Sequence, residues 1–219
     1  SGTVVFGVHI AAPGLAISPG SALDAIARTR YSTVYMPGYK ITMLPDEVVQ
    51  AYTLLEGRDC PAVSIYFTID ESTLEIRGSE TRLERVRIAS NLRHDQLGEV
   101  ITQDSLAGRT AADYPFAAEL AFAFRLAQHL KAQREVVRGK PETFTRPDYS
   151  FKLVGNDGRE PDGSERVQID VRRRGEPLDL IVAEAMILAN SNWGGWLAEL
   201  SVPGIYRSQP SLAPGIKVR

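Results

Sequence analysis

The sequence predicts an α+β fold in which an antiparallel meander sheet packs with long helices. The strand signal is clearest over residues 62–70 (AVSIYFTID), where apolar and β-branched side chains dominate. The helix signal is clearest between Asp113 and Gly139, where apolar side chains recur at steps of three and four residues. A second apolar helical stretch begins near residue 178.

The first 30 residues predict a strand, a loop and a short helix. Residues 3–10 (TVVFGVHI) have the composition of a buried strand, and residues 11–20 contain the prolines and glycines typical of a loop. Ser21 is suited to cap a helix over residues 21–30, with Asp24 three positions further on.

Two further short strands are predicted to complete the meander. Glu71 and Ser72 resemble a turn that leads into a strand over residues 73–77. Residues 85–88 (RVRI) alternate charged and apolar side chains, which is the period of a half-buried strand.

The second half of the chain predicts two helices separated by a hairpin. Asp113 and Pro115 are start signals for the first helix, and Gly139 is its C-terminal signal. The hairpin is predicted to have strands over 151–154 and 167–171 that are joined through Asn156-Asp157-Gly158. The second helix is predicted over 178–189, and Gly194-Gly195 weakens the prediction that it extends to residue 200.

Composition limits the possible function classes. The 43% hydrophobic and 24% charged residues are typical of a soluble globular protein, and no run approaches the roughly 20 apolar residues of a membrane helix. The net charge of −2 disfavours a sequence-blind nucleic-acid binder but leaves open an enzyme with a basic channel. Basic clusters at residues 82–87, 125–140 and 172–174 are most simply solvated faces balanced by acids.

Cys60 is the only cysteine, which excludes an internal disulfide and fits a cytoplasmic location.

Motifs of several other chemistries are missing from the sequence. It contains no GxxxxGK[ST], HExxH or GxSxG pattern. His9, His94 and His129 are too scattered for a metal-ligand spacing, so zinc chemistry is not expected.

Several short motifs instead follow one another in a characteristic order. They are VHIAAP (8–13), GSALD (20–24), VYMPG…ITMLP (34–45), RPDY (146–149), IVAEAMILAN (181–190) and GIYR (204–207). Their order and spacing resemble the RNB catalytic domain of the ribonuclease II / ribonuclease R family over nearly the whole chain.

The resemblance implies a 3′→5′ exoribonuclease that hydrolyses single-stranded RNA to nucleoside 5′-monophosphates with Mg²⁺. It implies single-stranded RNA as the partner, no membrane association, a cytoplasmic location and a monomeric full-length enzyme. Residues 1–219 are then expected to form a single, incomplete RNB-like domain that supplies part of the RNA-channel wall. Its metal-binding acidic cluster is expected upstream of Ser1 and its last part beyond Arg219. We therefore expect neither catalytic nor metal-binding residues in this chain, and an inactive isolated fragment.

Three RNA-binding residues are implied by the resemblance. Tyr35 matches a tyrosine that stacks on a base near the RNA 3′ end, and its alternative role is to pack the turn before Pro37. His94 occupies the place of a second RNA-contacting tyrosine, although a histidine beside an aspartate is also a common surface pair. Phe144 lies within one residue of a phenylalanine that clamps the terminal base, and its alternative role is in the core.

Other positions depart from the family pattern and favour a second hypothesis. Ala183 replaces the first of two consecutive glutamates and Glu184 matches the second, while Ala12 stands where many relatives carry aspartate. Adjacent helical positions point about 100° apart, so Glu184 is not expected simply to replace the missing side chain. The alternative is a catalytically degenerate RNB-like module that binds RNA or a protein partner without cleavage.

Overall fold

The protein has the predicted α+β architecture, with an antiparallel sheet packed against two long helices. The computed structural model describes residues 2–93, 97–111, 113–141, 148–155, 161–172 and 176–206. Its elements in chain order are β1 (Thr3–Ala11), α1 (Ala22–Arg30), β2 (Val34–Met36), β3 (Tyr39–Ile41), α2 (Asp46–Tyr52), β4 (Asp59–Asp70), β5 (Ile76–Arg87), α3 (Gln103–Leu106), α4 (Ala117–Arg138), β6 (Asp148–Val154), β7 (Arg166–Arg172) and α5 (Pro177–Glu199). None of the helices in these ranges is both long and apolar enough to cross a bilayer.

The main sheet has three antiparallel strands in the order β1-β4-β5. The central strand β4 carries Ile65, Phe67 and Ile69, which are completely buried. Alternate residues of a strand point to the same side, so these three side chains share one face. Val8 of β1 lies opposite Ile65 and joins the same apolar cluster.

Helices α4 and α5 cover this apolar face of the sheet. Leu126 of α4 and Ala189 of α5 are buried in the cluster formed by the β4 side chains. Helix α4 ends where the sequence predicts, because Gly139 has a φ of 74°, which favours glycine. A second cluster fixes the segment before α4 to both helices; its buried members are Ile101, Leu106, Tyr114, Phe124 and Leu178.

The predicted strand boundaries after residue 70 are wrong. Strand β5 runs without interruption from Ile76 to Arg87, where the sequence predicts separate pieces at 73–77 and 85–88. Most of its side chains are exposed because β5 is an edge strand, so the apolar alternation expected of a half-buried strand is weak. Its position is set by pairing with the apolar strand β4.

The second long helix is not interrupted by its two glycines. Helix α5 continues through Gly194 and Gly195 to Glu199. The Trp193 indole Nε1 donates a hydrogen bond to Thr81 Oγ1 of β5 at 2.9 Å, which ties this half of the helix to the sheet. Tertiary contact thus overcomes the low helix propensity of glycine.

Helix α1 and the β6–β7 hairpin follow the sequence predictions closely, whereas β2, β3, α2 and α3 were not predicted. The Asp24 backbone N–H donates to Ser21 Oγ at 3.2 Å, so Ser21 caps α1 as expected. Strands β6 and β7 form the predicted hairpin, with Phe151 opposite Ile169. The predicted turn residues 156–158 lie outside the described ranges.

Candidate nucleic-acid interface

Tyr35 lies on the short hairpin formed by β2 and β3. Its side chain is 79% exposed, so the ring does not pack against the turn that follows it. Two hydrogen bonds fix the base of the hairpin: Arg30 Nη1 donates to the Thr42 carbonyl at 2.9 Å, and the Met43 N–H donates to Thr33 Oγ1 at 3.2 Å. The ring is therefore presented to solvent on an anchored support.

The register of the hairpin places Lys40 directly opposite Tyr35. Facing residues of an antiparallel pair project to the same side, so the phenol ring and the ammonium group share one face. Lys40 was not among the residues predicted from the sequence. The symmetric spacing of positions 35 and 40 about the two-residue turn Pro37-Gly38 was a signal that could have identified it.

The turn of this hairpin lies against the β6–β7 hairpin. Gly38 has a φ of 68°, and a Cβ atom at this position would overlap the Leu153 side chain. The close approach therefore needs glycine for two reasons, backbone conformation and space. Tyr149 and Phe151 occupy every second position of β6 before Leu153 and therefore lie on the same face of the strand. Both are about half exposed, so the β6–β7 hairpin adds further exposed aromatic side chains beside the β2–β3 hairpin.

The other two predicted RNA-binding residues, His94 and Phe144, lie outside the described residues. The segment that leads to position 94 is anchored by reciprocal bonds between Glu56 and Asn91. The Glu56 N–H donates to Asn91 Oδ1 at 2.8 Å, and the Asn91 N–H donates to Glu56 Oε2 at 2.9 Å. The roles of His94 and Phe144 stay predictions.

The two helix positions of the family's paired glutamates have opposite environments. Ala183 is exposed, whereas Glu184 is only 2% exposed. Arg134 Nη2 of α4 donates to Glu184 Oε1 of α5 at 2.5 Å, so this carboxylate joins the two helices. Glu184 therefore has a structural partner and does not substitute for the side chain missing at 183. Ala12, the other departure, is also buried.

The described carboxylates do not fit a metal site. No group of three or more His, Cys, Asp or Glu residues within the described ranges could hold a metal ion. The buried Asp70 illustrates why: its Oδ1 accepts bonds from the Ser72 N–H, the Ser72 hydroxyl and the Thr73 N–H, and its Oδ2 pairs with Arg77 at 3.2 Å. Led by the Ser72 hydroxyl, these donors hold the pKa of Asp70 far below its ordinary value of 3.8.

A polar cluster on the opposite face of the main sheet was also missed from the sequence. His9 Nδ1 and Ser64 Oγ share a hydrogen bond of 2.8 Å, and Tyr66 Oη donates to Glu84 Oε1 at 2.6 Å. Burial lowers the pKa of His9 while Glu84 partly opposes this, and the bond to Glu84 raises the pKa of Tyr66. Alternate positions on three strands bring these groups together, which single-strand patterns do not reveal. Their hydrogen bonds are made within the cluster, so it has a structural explanation.

Comparison with known proteins agrees with the order of the motifs. A family model described as the RNB domain matches residues 1–215. Exoribonuclease 2 of Vibrio parahaemolyticus is 28% identical over 217 residues, which cover 98% of this chain and 30% of that protein. The chain thus spans less than a third of the length of this curated relative.

Solved structures have the same fold. RNase R of Mycoplasma genitalium, in complex with double-stranded RNA, gives a TM-score of 0.71 at 18% identity and covers 90% of this chain and 33% of that one. Yeast Ssd1, described as a pseudonuclease, gives a TM-score of 0.51 at 26% identity over 65% of this chain and 16% of that one. With a family model that matches almost its whole length, this chain belongs to the RNB domain family, which its relatives place among the ribonuclease II and ribonuclease R exoribonucleases.

Proposed function

We propose that this chain is the RNA-holding part of a 3′→5′ exoribonuclease that hydrolyses single-stranded RNA to nucleoside 5′-monophosphates. The supporting observation is the Tyr35 ring, which is 79% exposed on an anchored hairpin within an RNB domain. An exposed aromatic ring can stack on any base, because every base has a π-face. Such a contact holds RNA without reading its sequence, as a processive nuclease requires.

The chemical step is not assigned to the carboxylates of the described ranges. Ribonucleases of this family use divalent metal ions, and we propose Mg²⁺ for the complete enzyme. Mg²⁺ prefers several oxygen ligands in octahedral geometry, whereas Asp70 and Glu184 are bonded to protein donors. The proposed role of these residues is therefore to hold the fold, and that of the β2–β3 hairpin is to hold the substrate.

RNA binding is tested by titrating a fluorescent single-stranded oligonucleotide in EDTA with wild-type protein and with Tyr35→Ala and Tyr35→Phe. One lost stacking contact costs roughly 1–3 kcal/mol, so Tyr35→Ala should weaken binding by roughly 5- to 150-fold. Tyr35→Phe keeps the ring and should bind within about 2-fold of wild type, since the π-face is retained. Equal affinity of Tyr35→Ala and wild type contradicts the proposal.

Hydrolysis is tested separately with the full-length gene product. A 3′-labelled single strand in Mg²⁺ should release labelled mononucleotide first, and a 5′-labelled strand should shorten progressively. Release of no mononucleotide under these conditions rejects the enzymatic assignment.

A second candidate is a degenerate RNB module that binds RNA without cleaving it. Ala183 in place of a family glutamate and the similarity to the pseudonuclease Ssd1 favour it. Tyr35-dependent binding of the full-length gene product without any cleavage would identify this case.

A further inference from the structure

We propose that Lys40 binds a backbone phosphate of the RNA nucleotide whose base stacks on Tyr35. The two side chains would then act as one unit, with the ring holding the base and the ammonium group holding the adjoining phosphate. This inference rests on the proposed function of Tyr35 and assigns the chemical group that its neighbour recognises.

The strand register places the two side chains next to each other. Tyr35 and Lys40 are direct partners in the antiparallel register of β2 and β3. Such partners have Cβ atoms about 5 Å apart and project to the same side. A nucleotide stacked on the ring therefore has its sugar-phosphate within reach of the long lysine side chain.

The charge of Lys40 is available to a ligand. Lys40 is exposed and forms no ion pair or hydrogen bond through its side chain with any residue that the structure describes. By contrast, Arg82 is paired with Glu80 at 2.6 Å and Lys131 with Glu135 at 2.5 Å. Among the described residues, Lys40 can thus bind a phosphate without breaking an ion pair, whereas Arg82 and Lys131 cannot.

Hydrogen bonds also anchor the backbone beneath the pair. Thr42 is buried, and its hydroxyl donates to the Leu44 carbonyl at 2.6 Å, while its own carbonyl accepts from Arg30. These bonds hold the end of β3 only two residues from Lys40. A fixed backbone reduces the entropy lost when RNA orders the lysine side chain.

The competing explanation is that Lys40 only prevents aggregation. Exposed edge strands often carry lysine because its charge opposes pairing with other chains. If Lys40 had that role alone, its replacement would leave the salt dependence of RNA binding unchanged. If Lys40 contacts a phosphate, its replacement lowers the salt dependence, because each neutralised phosphate of a single strand releases counterions and contributes about 0.7 to the slope of log K against log salt.

The experiment measures the affinity for fluorescent oligo-U and oligo-A in EDTA from about 50 mM to about 500 mM KCl. We expect Lys40→Gln to lower the magnitude of the slope of log K against log salt by about 0.7. The ratio of wild-type to variant affinity should therefore fall about 5-fold between the lowest and the highest salt concentration. Lys40→Arg should retain the wild-type slope because it retains the charge. The matched control is Lys152→Gln, which removes an exposed lysine that is paired with Asp170 at 3.6 Å and should leave the slope unchanged.

A second arm locates the contact on the RNA. Single uncharged methylphosphonate linkages are placed in turn along the oligonucleotide. At one position the wild-type protein should lose affinity while Lys40→Gln loses none, since the variant has no positive charge at residue 40 to pair with that phosphate. Absence of any such position overturns the inference.

The results separate the inference from the proposed function. If Tyr35→Ala weakens binding but Lys40→Gln retains the wild-type slope, the inference about Lys40 is wrong and RNA binding at Tyr35 stands. If neither substitution changes binding, the proposed function fails together with the inference. Circular dichroism of each variant confirms that the fold is intact.

Discussion

Replacement of Glu184 by alanine should destabilise the protein by about 3 kcal/mol. Breaking a buried ion pair by removing one partner costs about 3–5 kcal/mol, because the remaining charge loses the buried group that offset its desolvation. Glu184 is 2% exposed, but the Arg134 side chain is 26% exposed and can recover some hydration. The lower end of that range is therefore expected.

Urea unfolding measured by circular dichroism tests this magnitude. With an m value of about 3 kcal/mol/M, the midpoint should fall by about 1 M. The control is Arg109→Ala, which breaks a pair with Asp104 whose side chains are 63% and 58% exposed and should cost about 0.5 kcal/mol. If the two variants lose equal stability, the bond between Glu184 and Arg134 does not hold the helices together. If folded Glu184→Ala loses RNA affinity instead, the structural assignment of Glu184 is wrong.

Two further predictions concern turns of the sheet and hairpin. The depressed pKa of Asp70 means that its contribution to stability is complete well above pH 3.8 and declines as the pH falls below that value, because the unfolded chain takes up the proton first. Asp70→Asn should therefore show a smaller drop in urea midpoint between pH 5 and pH 3 than wild type, and an equal drop would contradict the prediction. Gly38→Ala should cost more than about 1 kcal/mol through its φ of 68° and its overlap with Leu153. Adding Leu153→Ala should cost less in that background than in wild type, and strictly additive losses in a double-mutant cycle would show that the two hairpins do not touch.

The elements with a complete local signal were predictable from the sequence. Helix α4 is an example, since its apolar period and Gly139 lie within one continuous segment. Strand β5 was not predicted as one strand, because the pairing information lies in β4 and the exposed side chains of an edge strand need not alternate. The continuation of α5 past Gly194 likewise depends on the contact of Trp193 with a distant strand.

The candidate site was predictable only where a motif marks it. Tyr35 was found through its motif, and the structure adds that its ring is exposed on an anchored hairpin. Lys40 was identifiable from its spacing about the Pro37-Gly38 turn, whereas the partner of Glu184 lies 50 positions away on another helix. Contacts over such separations are set by packing, which no local pattern encodes.

The residues that hold the fold and the residues proposed to bind RNA lie on different parts of this molecule. The buried side chains of β4, α4 and α5 hold the fold, whereas Tyr35 and Lys40 lie on a small hairpin whose strand residues are all exposed. Substitutions of Tyr35 and Lys40 should therefore change RNA affinity with little effect on the urea midpoint, and Glu184→Ala should do the opposite. The same separation explains how a fold of this kind can occur in a pseudonuclease such as Ssd1. Because the core of the described residues does not depend on the proposed RNA-binding residues, a fold of this kind can persist when the function changes.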